Sequence, residues 1–362
     1  MTDAGHMRRA LLHAARAEGV TTPNPLVGAV VVSPDGVILG QGRHARAGEP
    51  HAEVNALDEA GEAARGSTLY VTLEPCCTVG RTGPCTTRIL AAGVRRVVAA
   101  MRDPNPRVDG RGLQRLREAG VIVEEGLLGA EARRLNAPFT MVQTAGRPLV
   151  ITKAAMSLDG RSAAAPGERT RITGAVANRR TQRLRAAMDA VGVGAGTVLA
   201  DDPLLTVRET VRLRPLPRVV FDRSLRTPPT ARLLSTLDEG PVIILTSPAG
   251  ATSAPDRVRA LERAGATVVP VEGGLDAALA ALVPFDVMQI LIEGGARLHR
   301  ALWDADLVDR LHAVVAPVAF GSGALEAFGG AAVPAGRLAP VSVLTCGPDT
   351  WMEMDVHRTH RG

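Results

Sequence analysis

The chain has 362 residues, enough for two ordinary domains, and 46% hydrophobic with 22% charged residues is typical of a globular protein. A net charge of +5 could indicate a nucleic-acid partner, but Arg is mixed with Asp and Glu throughout and aromatic residues make up only 2%. No apolar run approaches the ~18 residues of a membrane span, and the N-terminal residues lack the apolar core of a secretory signal. We therefore expect a cytoplasmic protein with no membrane or nucleic-acid partner.

The first half of the chain predicts alternating helices and strands. A helical pattern covers 7–18, and a strand over 27–32 precedes the turn Ser33-Pro34-Asp35-Gly36 and a hairpin partner over 37–40. Later apolar patterns predict helices over 52–64, 85–92, 112–119 and 131–141, and strands over 68–73, 94–100 and 121–123. We predict a three-layer α/β/α domain, in which helices cover both faces of one sheet.

A second domain is predicted after the polar segment 144–148. This segment is the best domain boundary, and it divides the chain into 1–146 and 147–362. Beyond it the apolar runs predict strands over 149–155, 190–193, 218–222, 242–246, 267–271, 289–293 and 311–318. Helical patterns lie between several of these strands, so the second domain is also predicted to be α/β.

One histidine, one glutamate and two cysteines form the pattern of a zinc-dependent base deaminase. His51 and Glu53 begin a predicted helix, Cys76 follows a predicted strand, and Cys85 begins another helix, where the helix dipole favours a thiolate. One His and two Cys leave a tetrahedral zinc ion one open position, as in catalytic sites. Zinc activates water, and Glu53 would carry its proton to the ring nitrogen and the departing amine. The pattern predicts deamination of a pyrimidine-like ring.

The residues between the two cysteines leave alternatives open. Eight residues separate Cys76 from Cys85, and this Gly-containing insert, which carries Arg81, is predicted to be a loop that shapes the pocket. A structural zinc site with Cys77 as fourth ligand is disfavoured, because adjacent cysteines rarely bind one ion and Glu53 would have no role. A disulfide is disfavoured too, since three of the four cysteines cluster within ten residues.

Motifs in both halves occur in a recognisable order. They are TPNPLVG (22–28), GEPHAE (48–53), YVTLEPC (70–76), GRT (80–82), DPNP (103–106), SLDG (157–160), GTVLADDP (196–203) and IEGG (292–295). Through these motifs nearly the whole chain resembles the bifunctional deaminase-reductases of riboflavin biosynthesis. The resemblance implies a cytidine-deaminase-like first domain and a second domain similar to dihydrofolate reductase.

The resemblance also implies two consecutive reactions. The first domain would deaminate 2,5-diamino-6-ribosylamino-4(3H)-pyrimidinone 5′-phosphate, and the second would reduce the ribosyl chain to ribityl with NADPH. The zinc ligands fall on His51, Cys76 and Cys85, and the proton carrier on Glu53. The family suggests a homo-oligomer, a dimer or larger.

Further site residues are assigned by the same resemblance. The implied substrate-binding residues are Asn24, Lys153, Arg185, Leu205, Arg208 and Glu293. The implied cofactor-binding residues are Ala155, Thr197, Asp201, Gly295, Ala296, Arg297, Leu298, His299, Arg300 and Ala301.

The residues themselves say less about the second domain. Gly192, Gly194 and Gly196 read G-x-G-x-G, which is not the dinucleotide fingerprint of a Rossmann fold. Lys153 is the only lysine among 42 basic residues, and we hypothesise that its ammonium orients the sugar chain. Arg169 and Arg171 replace a family Ser and Trp near the nicotinamide site. An active deaminase with a silent or altered reductase domain is therefore the alternative hypothesis.

Overall fold

The computed structural model describes residues 1–78, 83–165, 170–334 and 336–357. It divides the chain into two compact units, Met1–Gly146 and Arg147–Gly362. Within the described part of the chain, no helix is both long enough and apolar enough to cross a bilayer. The predicted loop residue Arg81 and the family departure at Arg169 lie outside the described residues.

Unit 1 contains one five-stranded sheet with the strand order β2-β1-β3-β4-β5, in which β3, β4 and β5 are parallel. Its strands are β1 (Gly28–Val32), β2 (Ile38–Arg43), β3 (Thr68–Val71), β4 (Arg96–Ala99) and β5 (Ile122–Glu125). Its helices are α1 (Asp3–Ala15), α2 (Ala52–Ala60), α3 (Cys85–Ala91), α4 (Arg111–Glu118), α5 (Gly129–Leu135) and α6 (Ala137–Ala145).

Helices cover both faces of this sheet, as the three-layer prediction requires. Residues of α1 and α5 share one core cluster with the sheet, and residues of α2, α3 and α4 share another. Helix α2 lies unusually close to β2, because a Cβ at Gly42 would stand 2.2 Å from the Ala52 carbonyl oxygen. A Cβ at Gly40 would likewise lie 2.2 Å from the Ala56 carbonyl oxygen. These contacts fix the start of α2, where the predicted zinc site begins.

The predicted single helix over 131–141 is wrong in detail, because two helices meet at Asn136. The Asn136 amide accepts a hydrogen bond from the Leu26 N–H at 2.8 Å and donates to the Leu26 carbonyl at 2.9 Å. These two bonds hold Asn136 out of helical geometry, and Pro138 then suits the first turn of α6.

Unit 2 contains a nine-stranded sheet with the order β11-β10-β9-β8-β12-β6-β13-β16-β15. Its strands are β6 (Leu149–Ser157), β8 (Ala190–Gly194), β9 (Arg218–Phe221), β10 (Val242–Thr246), β11 (Ala266–Pro270), β12 (Gln289–Ile292), β13 (Arg310–Ala316), β15 (Leu338–Cys346) and β16 (Asp349–Val356). A small sheet pairs β7 (Arg161–Ala163) with β14 (Leu325–Glu326). The helices are α7 (Ala175–Ala187), α8 (Ala195–Asp201), α9 (Pro248–Ser253), α10 (Pro255–Arg263), α11 (Leu275–Ala280) and α12 (Ala296–Asp304).

The seven strands predicted for this unit are all present, and they form the parallel part of the large sheet. The antiparallel hairpin of β15 and β16 was not predicted. The carboxyl ends of parallel strands open at one edge of a sheet, which is the usual position of a ligand site.

Candidate functional sites

The predicted zinc ligands of unit 1 come together. His51 precedes α2 and Cys85 begins α3, so two helix starts face each other. The His51 Nδ1 lies 3.1 Å from the Cys85 Sγ and 3.6 Å from the Cys76 Sγ. The ligand atoms of these three residues lie within 4.8 Å of one another. This donor set, one imidazole nitrogen and two sulfurs, is the one that zinc takes in catalytic sites.

Charge in this cluster concentrates on Cys76. Hydrogen bonds from the Cys85 thiol and from His51 lower the pKa of the Cys76 thiol, which favours its thiolate form. That thiolate raises the pKa of His51 by accepting a hydrogen bond from its ring. The same neighbour raises the pKa of Cys85. A cluster that already stabilises one thiolate is prepared for a divalent cation, whose charge would also stabilise the second.

Glu53 is enclosed beside the cluster. Its side chain is 3% exposed, and burial raises the pKa of this carboxyl to about 7. Helix α2 places Glu53 two residues after His51, and a hydrogen bond links its carboxyl group to Cys85. A carboxyl group so close to the ligands, but outside the ligand set, is suited to proton transfer.

Asn24 lies beside a second histidine that was not predicted. Its Nδ2 is 2.8 Å from the His44 Nε2, and the His44 Nδ1 is 3.2 Å from the Pro50 carbonyl oxygen. The rings of His44 and His51 meet edge to face, with centroids 5.4 Å apart. His44 is buried and thereby joins Asn24 to the zinc cluster. A lone histidine without a motif partner gave no sequence signal.

Glu74 holds the strand end that carries Cys76. This buried carboxylate accepts hydrogen bonds from the backbone N–H groups of Asp103 (3.1 Å), Gly110 (2.8 Å) and Gly112 (2.8 Å). These bonds tie the loop between β4 and α4 to the segment that bears the metal ligand. Four bonds within the protein, counting one from the Leu113 N–H at 3.4 Å, leave Glu74 in a structural role.

A cavity of about 790 Å³ in unit 2 opens at the carboxyl ends of the parallel strands. Nine of the ten predicted cofactor residues line its wall, as do Lys153 and Glu293. These nine are Ala155, Thr197, Asp201, Gly295, Ala296, Arg297, Leu298, His299 and Ala301. Arg300 is absent from the wall, because its guanidinium bonds to Asp304 and to the Gly329 carbonyl.

Two predicted substrate residues bind each other. The Arg185 Nη2 donates to the Glu293 Oε2 at 2.9 Å, its Nε donates to the other carboxylate oxygen, and its Nη1 donates to the Thr206 carbonyl. Each of the three guanidinium nitrogens thus donates a hydrogen bond within the protein, although the resemblance implied that Arg185 binds substrate. The nearby charge of Arg185 lowers the pKa of Glu293, whereas burial lowers the pKa of Lys153.

The remaining predicted residues differ in burial. Leu205 is buried in a core cluster, so only its backbone remains for a ligand. Arg208 is exposed, and the described residues offer its guanidinium no hydrogen-bond or ion-pair partner. Arg171 is exposed as well, and the neighbouring Thr170 lines the cavity.

Part of the cavity wall was missed entirely by sequence reasoning. It follows β9 and β10 and includes Asp222, Arg223, Arg226 and Ser247. Here no glycine pattern marks a ligand site, so only the strand order reveals it.

Comparisons with known proteins match the two parts of the chain to two different family models. Residues 1–101 match the model of the cytidine and deoxycytidylate deaminase zinc-binding region, and residues 148–352 match the RibD C-terminal domain. The chain belongs to the RibD family. It is 43% identical to riboflavin biosynthesis protein RibD of Escherichia coli over 90% of both chains, and 40% identical to that of Aquifex aeolicus over 89% of this chain and 88% of the relative.

Solved RibD structures share the fold over the full length. Acinetobacter baumannii RibD superposes with a TM-score of 0.87 at 36% identity, covering 98% of this chain and 99% of that one. A deaminase/reductase from Thermotoga maritima gives 0.84 at 33% identity, covering 98% of both. The predicted α/β fold class is thereby confirmed.

RibD proteins are bifunctional enzymes of riboflavin biosynthesis, and this chain carries both the hydrolase and the oxidoreductase halves. The predicted function and the two cofactors, zinc and NADPH, are confirmed at that level. The alternative with a silent second domain is not favoured, because the relatives match both halves.

The structure fits both cofactors. The cluster of His51, Cys76 and Cys85 offers a zinc donor set. The cavity offers a long cleft with backbone at Gly194–Gly196, together with two buried polar atoms without partners, the His299 Nδ1 and the Asp222 Oδ1. Buried polar atoms of this kind normally have a hydrogen-bond partner, which a ligand can supply.

Proposed function

We propose that residues 1–146 deaminate 2,5-diamino-6-ribosylamino-4(3H)-pyrimidinone 5′-phosphate and that residues 147–362 then reduce the ribosyl chain of the product to ribityl. The observation that carries the first half is the convergence of three ligand atoms within 4.8 Å beside the buried Glu53. Similarity to the Thermotoga maritima protein, a diaminohydroxyphosphoribosylaminopyrimidine deaminase/5-amino-6-(5-phosphoribosylamino)uracil reductase, supports both substrates.

In the deaminase half, His51, Cys76 and Cys85 would hold the zinc ion, which when bound activates the attacking water. Glu53 would accept a proton from that water and deliver it to the pyrimidine nitrogen, and it would then pass the second proton, from the added hydroxyl, to the amino group that departs as ammonia. Its burial keeps bulk water from competing for this proton. Asn24 would bind the pyrimidine, since its amide contacts His44, whose ring contacts the His51 ring.

In the reductase half, NADPH supplies the hydride, and the chain supplies the groups that orient the sugar. Lys153 would donate to the ribose oxygens, and Glu293, held by Arg185, would accept from its hydroxyls. The exposed guanidinium of Arg208 is free to bind the 5′-phosphate in a bidentate manner. We propose that the cofactor lies along the nine predicted wall residues that face the cavity.

A coupled assay tests both halves together. The full chain, loaded with zinc, is mixed with the diaminopyrimidine and NADPH, and ammonia release and NADPH oxidation are followed in parallel. Both signals are expected in a 1:1 ratio, with ammonia first. Ammonia without NADPH oxidation would restrict the function to deamination.

Lys153→Met tests the reductase assignment more closely. A charge-assisted hydrogen bond is worth about 1.5–3 kcal/mol, so reduction should slow by about tenfold or more. Lys153→Arg keeps the charge but places a planar fork where a compact ammonium fits, and it should restore little. Deamination should be unaffected by either change, and near-normal reduction by the Met variant would remove Lys153 from the mechanism.

We also propose that the chain acts as a homo-oligomer in the cytoplasm. Strand β15 is an edge of the large sheet and exposes the apolar side chains of Val341, Val343 and Leu344, which supports self-association. The four cysteines are free thiols, which suits a reducing compartment. Light scattering on the purified chain and cell fractionation test these two statements.

A further inference from the structure

The motif SLDG (157–160) has no part in the two reactions as proposed above. It forms the turn between β6, which brings Lys153 to the cavity, and β7 of the small sheet. The Ser157 side chain is buried, Asp159 is exposed, and Gly160 has a φ of +75°, which favours glycine. Because the chain reverses here directly after β6, the conformation of this turn determines where the small sheet lies.

The Asp159 carboxylate accepts hydrogen bonds from two separate segments. The Ser157 hydroxyl donates to its Oδ1 at 2.5 Å, and the backbone N–H groups of Phe320 and Gly321 donate to its Oδ2 at 3.2 and 2.7 Å. The bonds from Ser157 and then from Gly321 lower the pKa of Asp159 to about 2, so this acceptor is charged at neutral pH. Asp159 therefore joins the turn after β6 to the loop after β13.

Backbone hydrogen bonds continue this connection into the small sheet. The Leu158 N–H donates to the Val318 carbonyl at 2.8 Å, and the Ala327 N–H donates to the Gly160 carbonyl at 3.0 Å. Strand β14, which lies between these two contacts in the chain, pairs with β7. The loop after β13 thus carries the position of the turn to both strands of the small sheet.

The small sheet forms one wall of the cavity. Its wall residues are Ser162 and Ala163 of β7, Leu325 of β14, and Ala327 immediately after β14. None of these four is among the nine wall residues proposed above for the cofactor. The small sheet is therefore left to the other ligand of the cavity, the deaminated pyrimidine with its phosphorylated sugar chain.

We propose that Asp159 is a positioning residue of the reductase. By holding the loop after β13 against the turn 157–160, it sets the distance between the small sheet and Lys153 that the sugar chain requires. Asp159 itself lies outside the cavity wall, and an active site depends on such outer contacts to hold its groups within about 0.5 Å of the productive geometry. The inference rests on the reductase function proposed above and gives the SLDG motif a part in it.

Steady-state reduction by the full, zinc-loaded chain tests this role in Asp159→Ala. A displacement of about 1 Å can cost up to about 10²-fold, so we expect the KM for the deaminated pyrimidine to rise at least about fivefold while the KM for NADPH stays within about twofold. Asp159→Asn keeps one acceptor oxygen and should give an intermediate KM for the pyrimidine. Asp256→Asn, an exposed aspartate on α10 outside the cavity wall, is the matched control and should match the wild type.

Hydrogen exchange, followed by mass spectrometry, measures the contact itself. The N–H groups of residues 320–327 should exchange faster in Asp159→Ala than in the wild type, whereas the parallel strands should keep their protection if the unit is folded. If Asp159→Ala does not fold, Asp159→Asn provides both measurements.

Three outcomes would overturn the proposal while the wild type reduces the pyrimidine. They are an unchanged KM for the pyrimidine, an equal rise in both KM values, and unchanged exchange over residues 320–327. The equal rise would indicate a general loosening of the unit. A wild type that oxidises no NADPH with the deaminated pyrimidine would overturn the reductase function, and this inference with it.

Discussion

The two units build their sites in different ways. In unit 1 the candidate ligands and the candidate proton carrier all lie between residues 51 and 85, at two helix starts and one strand end. In unit 2 the cavity wall runs from Lys153 to Ala327 and draws on the ends of five parallel strands. A compact metal site can be specified by a short motif, whereas a long cofactor cleft requires the order of the strands.

Removal of the metal should give the largest difference between the activities of the two units. Dialysis against a chelator should abolish ammonia release, because the deaminase half depends on zinc for its nucleophile. NADPH oxidation with the deaminated pyrimidine should continue, and added zinc should restore ammonia release. Parallel loss of both activities would show that the reductase site depends on the metal.

Glu53→Gln should reduce ammonia release almost as much as removal of the metal does, although the metal stays bound. A positioned general acid and base contributes about 10²–10⁴-fold, and an amide of the same size cannot carry the proton. Ammonia release measures the effect, and metal analysis of the variant provides the control. Wild-type deamination by Glu53→Gln would eliminate the assigned role.

Arg185→Gln and Arg208→Gln compare a buried arginine with an exposed one in the reductase unit. Loss of Arg185 leaves the Glu293 carboxylate buried without its partner, which costs about 3–5 kcal/mol of unfolding free energy. Its kcat for reduction should also fall, because Glu293 loses its orientation. Arg208→Gln should raise the KM for the phosphorylated substrate with no change in stability. A KM effect in Arg185→Gln with unchanged stability would instead support the direct substrate-binding role that the resemblance implies for Arg185.

His299→Gln should give the smallest effect on stability, and this effect is visible only in acid. Burial and then the Lys153 charge lower the pKa of His299 from 6.5 to about 4, so the folded chain disfavours its protonation. The stability that depends on neutral His299 is complete above pH 6.5 and declines as the pH falls toward 4, by about 2 kcal/mol at pH 5. Denaturant unfolding of the reductase unit at pH 7.5 and 5 should show a smaller decline in the variant. If stability declines equally in the wild type and the variant, His299 is not the group whose protonation destabilises the fold.

Much of unit 1 could be predicted because its signals are local. His51, Glu53 and Cys85 lie at helix starts that the sequence predicts. The alternation of predicted helices and strands indicates the three-layer arrangement. The break at Asn136 could not be predicted, because its cause is a pair of hydrogen bonds to Leu26, more than one hundred residues away in sequence.

Less of unit 2 could be predicted from the sequence. Its parallel strands were predicted because each is a short apolar run, but β15 is largely exposed and lacks such a run. The pairing of Arg185 with Glu293 joins residues that no motif relates. The position of Arg223 and Arg226 on the cavity wall depends on which strand lies beside which, and two arginines in a loop are ordinary in a chain with so many.

Glu74 bears on how mutagenesis of this enzyme should be interpreted. It is acidic, buried and two residues from a candidate metal ligand, so a scan for activity would select it alongside Glu53. Its oxygens are nevertheless occupied by backbone N–H groups of another loop. Inactive variants at position 74 would therefore report a displaced loop, and a loss of folding cooperativity would accompany the loss of turnover.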